Sequence, residues 1–180
     1  MGKIQIIYRS KKSSSLSDDS IQDILLSALS HNKIYHISGL LLYDETSFVQ
    51  VIEGEQSTIY QLMNRILLDR RHSNISVLQR KAIVTRQFLN WTMQGISLPR
   101  FYKQYYGKIY EKESLFFYRP SDSSTLAHLT LSEIEDVFIF VSDVLNLFPD
   151  FGEIPHSEVE KSMFISRAIP VRSKAVLYGK

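Results

Sequence analysis

The run Ser47 to Glu53, Ser-Phe-Val-Gln-Val-Ile-Glu, sets a carboxamide in the middle of an apolar strand. Phe48, Val49, Val51 and Ile52 put apolar side chains on both faces, so this strand is expected at the centre of a sheet covered on both sides. The Gln50 amide carries two donors and one acceptor oxygen into that desolvated setting. Left unpaired it would cost on the order of 1–3 kcal/mol, so something must hydrogen-bond it, and function should depend on that partner. Tyr8, Asn32, Trp91 and Met93 are the residues to consider with it. Tyr8 closes the first expected strand, Asn32 the first expected helix, and Trp91 and Met93 lie two apart on one face of the last strand. A phenol, an amide and a second amide would then converge under the helices.

The elements that must position them are legible from periodicity. Lys3 to Arg9 alternates as a strand ending at Tyr8, and Lys11 to Ser15 is a polar loop. Ser17 and Ser20 with Asp18 and Asp19 start a helix, in which Ile21, Ile24, Leu25, Ala28 and Leu29 recur at helical spacing to about Ser30. Ile37 to Tyr43 and Phe48 to Ile52 read as strands joined by a tight connection, with Gly54 ending the second. Ile59, Leu62, Met63, Ile66 and Leu67 mark a second amphipathic helix from about Ser57 to Asp69. Arg70 to Asn74 reads as a polar turn, Val77 to Thr85 as a fourth strand and Trp91 to Leu98 as a fifth. Strand, helix, strand, strand, helix, strand, strand is an α+β, ferredoxin-like βαββαββ arrangement. It predicts a five-stranded mixed sheet with two helices on one face.

The character changes after Leu98, which divides the chain into residues 1–98 and a C-terminal helical extension, 99–180. Thr130 with Glu133 forms a capping box ahead of Ile134, Val137, Phe138, Val141, Val144, Leu145 and Phe148, a helix with a wide apolar side. Ser157 with Glu160 caps another short helix. These helices are expected to cover the sheet face left open by the first two, or to form an oligomer or partner interface.

Composition removes whole classes of function. The 180 residues are 44% hydrophobic and 12% aromatic, enough for a packed core. A net charge of +2 gives no electrostatic case for nucleic acid or an anionic membrane. The tyrosines and lysines interleaved over Arg100 to Lys112 are offset by Glu111 and Glu113 and fit a helical packing stripe better than a nucleic-acid groove. Without cysteine there are no disulfides, thiolate metal sites or Cys nucleophiles. The N-terminus lacks a signal-peptide apolar region, and no stretch approaches the roughly 20 residues of a membrane span. A cytoplasmic protein is expected. No phosphate loop, Ser-His-Asp set or metal-ligand constellation is visible.

Five ordered stretches carry a resemblance. They are Ile6 to Ser10, Ile37 to Tyr43, Phe48 to Glu55, Asp69 to His72 and Phe88 to Met93. At these separations, over residues 3 to 97, they resemble the BLUF family, blue-light sensors that use FAD. The resemblance implies a ferredoxin-like fold with the flavin ring held between the two helices, and it implies roles. Tyr8 would be the electron and proton donor, and Gln50 the hydrogen-bond switch. Asn32 would hold a ring edge, with His31 beside it. Arg65 would donate to the other edge and shares a face with Asp69. Arg71 and His72 would lie at the ring or ribityl-phosphate end, and Ile24, Phe48 and Ile66 would wall the ring. Trp91 and Met93 would sense Gln50 and pass its change to the last strand.

Elementary chemistry agrees. A neutral flavin needs apolar walls and a few amide and guanidinium contacts. A phenol becomes a useful reductant only beside an excited acceptor, and an amide can present either its oxygen or its nitrogen to a fixed partner. Taken singly, Tyr8 is a strand-end tyrosine, Asn32 and His31 are helix-end residues, and Trp91 and Met93 are core. It is the set that reads as a site. The expectation is a short, non-enzymatic, FAD-binding photoreceptor that signals through its last strand and C-terminal helices to a partner protein, as a homo-oligomer. The rival readings are a flavin oxidoreductase and a light-independent ferredoxin-like assembly module.

Overall fold

In the computed structural model, which describes residues 2–89, 92–101 and 125–147, the chain runs β1 (Lys3–Lys12), α1 (Asp18–Ile34), β2 (Ser38–Tyr43), β3 (Ser47–Glu55), α2 (Gln56–Leu68), β4 (His72–Ile83) and β5 (Gln94–Ser97). Residues 98–101 are helical, and farther along the described chain come α3 (Thr125–His128) and α4 (Leu131–Leu147). The sheet order is β4-β1-β3-β2-β5, so β3 is central, as its two-faced apolar pattern requires. All neighbours pair antiparallel except β2 with β5, which is parallel. The α+β, ferredoxin-like arrangement is therefore present, with one strand added.

Strand alternation sends side chains to two separate cores. On one face Ile4, Ile6, Tyr8, Leu41, Phe48 and Ile52 pack with Ile21 and Leu25 of α1 and Ile59 and Met63 of α2. On the other, Ile7, Leu40, Leu42, Val49 and Val51 pack with Leu126 of α3 and with Ile134, Val137, Phe138 and Val141 of α4. The C-terminal helices thus cover the face that α1 and α2 leave open. The capping box is as expected: the Thr130 amide donates to Glu133 Oε2 at 2.7 Å and the Glu133 amide to Thr130 Oγ1 at 3.3 Å. Polar contacts fasten α3 to the sheet. Arg9 Nη1 donates to the carbonyls of Leu126 (3.3 Å) and Leu129 (3.0 Å), and the Leu126 amide donates to Asp44 Oδ2 at 3.0 Å.

Two glycines mark close approaches. A Cβ on Gly39 would stand 2.2 Å from the Val51 carbonyl oxygen, and one on Gly95 would meet the end of Leu25 at 2.4 Å. The first is a backbone obstacle and the second a side chain that can yield.

Several boundaries differ from the sequence expectation. β1 continues to Lys12 because β3 and β4 both pair with it there, so Tyr8 lies within the strand and not at its end. The same pairing draws His72 to Asn74 out of the expected turn into β4. β3 runs through Gly54 to Glu55, opposite Lys3. α1 extends four residues past Ser30, which puts His31 and Asn32 in its last turn. β5 is shorter than expected, with Met93 just before it. Trp91, most of the tyrosine-lysine segment after Arg100, and the helix at Ser157 lie outside the described residues. No helix among the described residues is long and apolar enough to cross a membrane.

Candidate functional site

Tyr8 and Gln50 are directly opposite one another in the β1–β3 ladder, and both point to the α1/α2 face. That register brings the phenol to the amide, since opposed residues on one face are cross-strand neighbours. Tyr8 Oη donates to Gln50 Oε1, and Gln50 Nε2 donates to Met93 Sδ at 3.1 Å. Tyr8 is 1% exposed, Gln50 7% and Met93 3%, so the chain of three is shielded from water. Burial, reinforced by the negative charge of Asp69, pushes the Tyr8 phenol far above its ordinary value. The phenol thus keeps its proton and can donate it to the amide oxygen, and in this arrangement the amide nitrogen faces a thioether, a weak acceptor. One end of Gln50 is held firmly and the other loosely.

The ends of the two helices frame this chain. Asn32 is buried and its Nδ2 donates to the Thr92 carbonyl at 3.0 Å, tying the last turn of α1 to the backbone before Met93. Arg65 Nη1 donates to His31 Nε2, linking the last turns of α2 and α1. His31 Nδ1 is buried with no hydrogen-bond partner among the described residues. Ile24 and Ile66 are half-buried and pack against the same core as the buried Phe48.

Asp69 departs from expectation. It is the residue at which α2 stops, with extended backbone (ψ 116°), so it does not share a helical face with Arg65. It binds Arg71 instead: Arg71 Nε donates to both carboxylate oxygens at 2.9 Å. Those bonds hold the Asp69 carboxyl below its usual range. His72 places Nδ1 3.1 Å from Ser10 Oγ and lies edge-on to the Phe48 ring, with centroids 5.8 Å apart. Burial lowers its pKa, the nearby Asp69 opposing that shift.

The structure thus gathers Tyr8, Gln50, Met93, Asn32, Phe48, Ile24 and Ile66 around one face, with His31 and Arg65 at one end. Asp69, Arg71 and His72 cluster at the start of β4. Ser10 was not singled out from the sequence, although it lies two residues after Tyr8 and so on the same face.

The family described as sensors of blue light using FAD, BLUF, matches residues 4–94. No curated protein sequence matches the chain. Among solved structures, BlsA in its ground state has a TM-score of 0.61 and covers 76% of this chain and 85% of its own, at 22% identity, a likeness of fold. BlrB, a BLUF protein in its dark state, is 26% identical with a TM-score of 0.56, covering 76% of this chain and 97% of that one. A bacterial light-regulated adenylyl cyclase is 27% identical with a TM-score of 0.53; the match takes in 83% of this chain but 36% of the cyclase. The matched span opens in β1, closes at the first residue of β5 and contains Tyr8, Gln50 and Met93: the chain belongs to the BLUF family.

Proposed function

We propose that this chain is a blue-light photoreceptor that binds FAD between α1 and α2 and uses Tyr8 and Gln50 as its switch. The residues present suit a flat, uncharged heterocycle. Ile24, Phe48 and Ile66 offer apolar walls, while Asn32, His31 and Arg65 offer polar atoms at one end, and the unpartnered His31 Nδ1 leaves one buried nitrogen to be satisfied. Arg71 and His72 would serve the ring or the ribityl-phosphate end. Bound FAD would supply absorption of blue light and an excited state able to accept an electron.

The chain's own part is to hold a protonated phenol against an amide that can reorient. The observation that carries this reading is the run of hydrogen bonds from Tyr8 Oη through Gln50 to Met93 Sδ. Tyr8 would be the donor of an electron and of its Oη proton to the excited flavin, and would take both back from it. While the Oη donor is perturbed, Gln50 Oε1 is released, and the amide can turn away from Met93. Exchanging one buried hydrogen bond for another is worth roughly 1 kcal/mol, enough to bias a balanced element several-fold. The change would leave through Met93, Trp91 and β5 to the C-terminal helices. There it would alter a contact with a partner protein or a second copy of the chain. Residues 1–98 would form the sensory unit and 99–180 the output extension.

The test is an absorption spectrum of the FAD-loaded protein in darkness and after blue light. A yellow protein whose flavin bands move reversibly to the red is expected. A colourless protein after reconstitution would favour the assembly module, and steady oxidation of a nicotinamide would favour the oxidoreductase.

A further inference from the structure

Glu53 has no place in the switch described above, yet it is fully buried. It lies three residues after Gln50 on β3 and so faces the opposite side of the sheet, beneath α4. Both of its carboxyl oxygens are used. Gln5 Nε2 donates to Oε1 at 2.6 Å, and the Phe88 amide donates to Oε2 at 2.9 Å. Gln5 stands directly opposite Glu53 in the β1–β3 ladder, so that bond stays within the sheet. The bond to Phe88 does not. Phe88 lies between β4 and β5, five residues before Met93, and its buried ring meets Phe138 of α4 edge-on at 6.0 Å.

β3 therefore holds the approach to β5 twice, once through each face of the sheet. Gln50 reaches Met93 on the flavin-side face, and Glu53 reaches Phe88 on the α4 side. A thioether is a weak acceptor, and the other hold beside Met93, Asn32 on the Thr92 carbonyl, comes from α1 and not from the sheet. A buried main-chain amide on a carboxyl oxygen is a stronger and more directional hold.

We propose that Glu53 is a positioning residue for the switch: by fixing the Phe88 amide it sets where Met93 receives the Gln50 amide, and it places the Phe88 ring against α4. The proposal rests on the photoreceptor reading. Removing the Phe88 acceptor lets Met93 drift, which weakens the dark arrangement toward which the lit protein must return. Recovery then slows.

The experiment times the dark return of the light-induced shift in the full, FAD-loaded chain. Glu53→Met, close in shape but without an acceptor, should slow recovery about ten-fold. Glu53→Gln keeps an oxygen for the Phe88 amide, and Gln5 can turn its own amide to match. It should recover within about two-fold of wild type. Equal rates in wild type and Glu53→Met, or a Gln variant as slow as the Met variant, would overturn the assignment, because a purely structural role would lower the melting temperature and leave the rate alone. Should Glu53→Met not fold, hydrogen exchange of the wild-type Phe88 amide in darkness decides: it should be slowed to the level of neighbouring ladder amides, and exchange at an open-loop rate would refute the anchor. A wild-type protein with no light-induced shift would sink the photoreceptor reading itself. The Phe88 exchange rate would then still report on the anchor alone.

Discussion

Tyr8→Phe is the most informative single change, because it removes one oxygen and leaves the packing nearly intact. In the wild type, Gln50 Oε1 is buried and takes its hydrogen bond from Tyr8 Oη. Deleting that donor strands a buried carbonyl, which costs about 1–3 kcal/mol. The amide cannot rescue itself by turning, since Oε1 would then face Met93 Sδ, which has no proton, and Nε2 would face a phenyl ring. Relief from burying the phenolic hydroxyl offsets part of the loss. The net expectation is about 1–2 kcal/mol, or a melting temperature lower by about 2–8 °C in a chain of this size. The assay is thermal or urea unfolding followed by circular dichroism, paired with dark and lit spectra of the FAD-loaded variant. The variant should stay yellow, melt earlier and lose the red shift. A variant as stable as wild type would mean that the buried pair does not bear on Gln50 as described. A surviving shift would mean that Tyr8 is not the donor.

Other outcomes follow from the same geometry. Gly39→Ala would drive a methyl group into the Val51 carbonyl and should cost about 3 kcal/mol or more, read as a lower urea midpoint; an unchanged midpoint would contradict the β2–β3 register. Because burial lowers the His72 pKa in the fold below its ordinary value of about 6.5, protonation below that pH favours the unfolded chain. Stability should therefore be full above that pH and fall as the pH drops through the folded value, and His72→Gln should flatten this part of the curve; an identical pH slope in the variant would refute it. Arg9→Ala should speed hydrogen exchange at Leu126 by about ten-fold through loss of its contacts to the carbonyls of Leu126 in α3 and Leu129 just after it, and equal rates would show that Arg9 does not hold that helix.

What the sequence revealed depended on contrast. Gln50 stood out because four apolar residues surround it, and the register then delivered the phenol it needed. The cap of α4 was legible because the capping box is a local signal. Asp69 was misplaced because helical spacing from Arg65 continues on paper past the point where the backbone leaves α2 for the Arg71 pair. His72 read as a turn residue because its neighbours are polar, whereas pairing with Lys12 makes it strand. Glu53 closes the run Ser47 to Glu53, next to Gly54. Nothing local reports that Gln5 lies opposite it and that a distant amide turns toward it. Contacts fixed by register between distant segments are the ones that local pattern cannot supply.

The two flanks of the sheet are built unequally. β4 borders it with twelve residues laid along β1, whereas β5 borders it with four, held by a parallel ladder to β2 alone among the described strands. Few main-chain bonds hold the short flank, so its place rests on side chains: Ile96 is buried in the core that includes α4, and Leu25 of α1 lies where a Cβ on Gly95 would stand. The long margin is secured by backbone, the short one by packing.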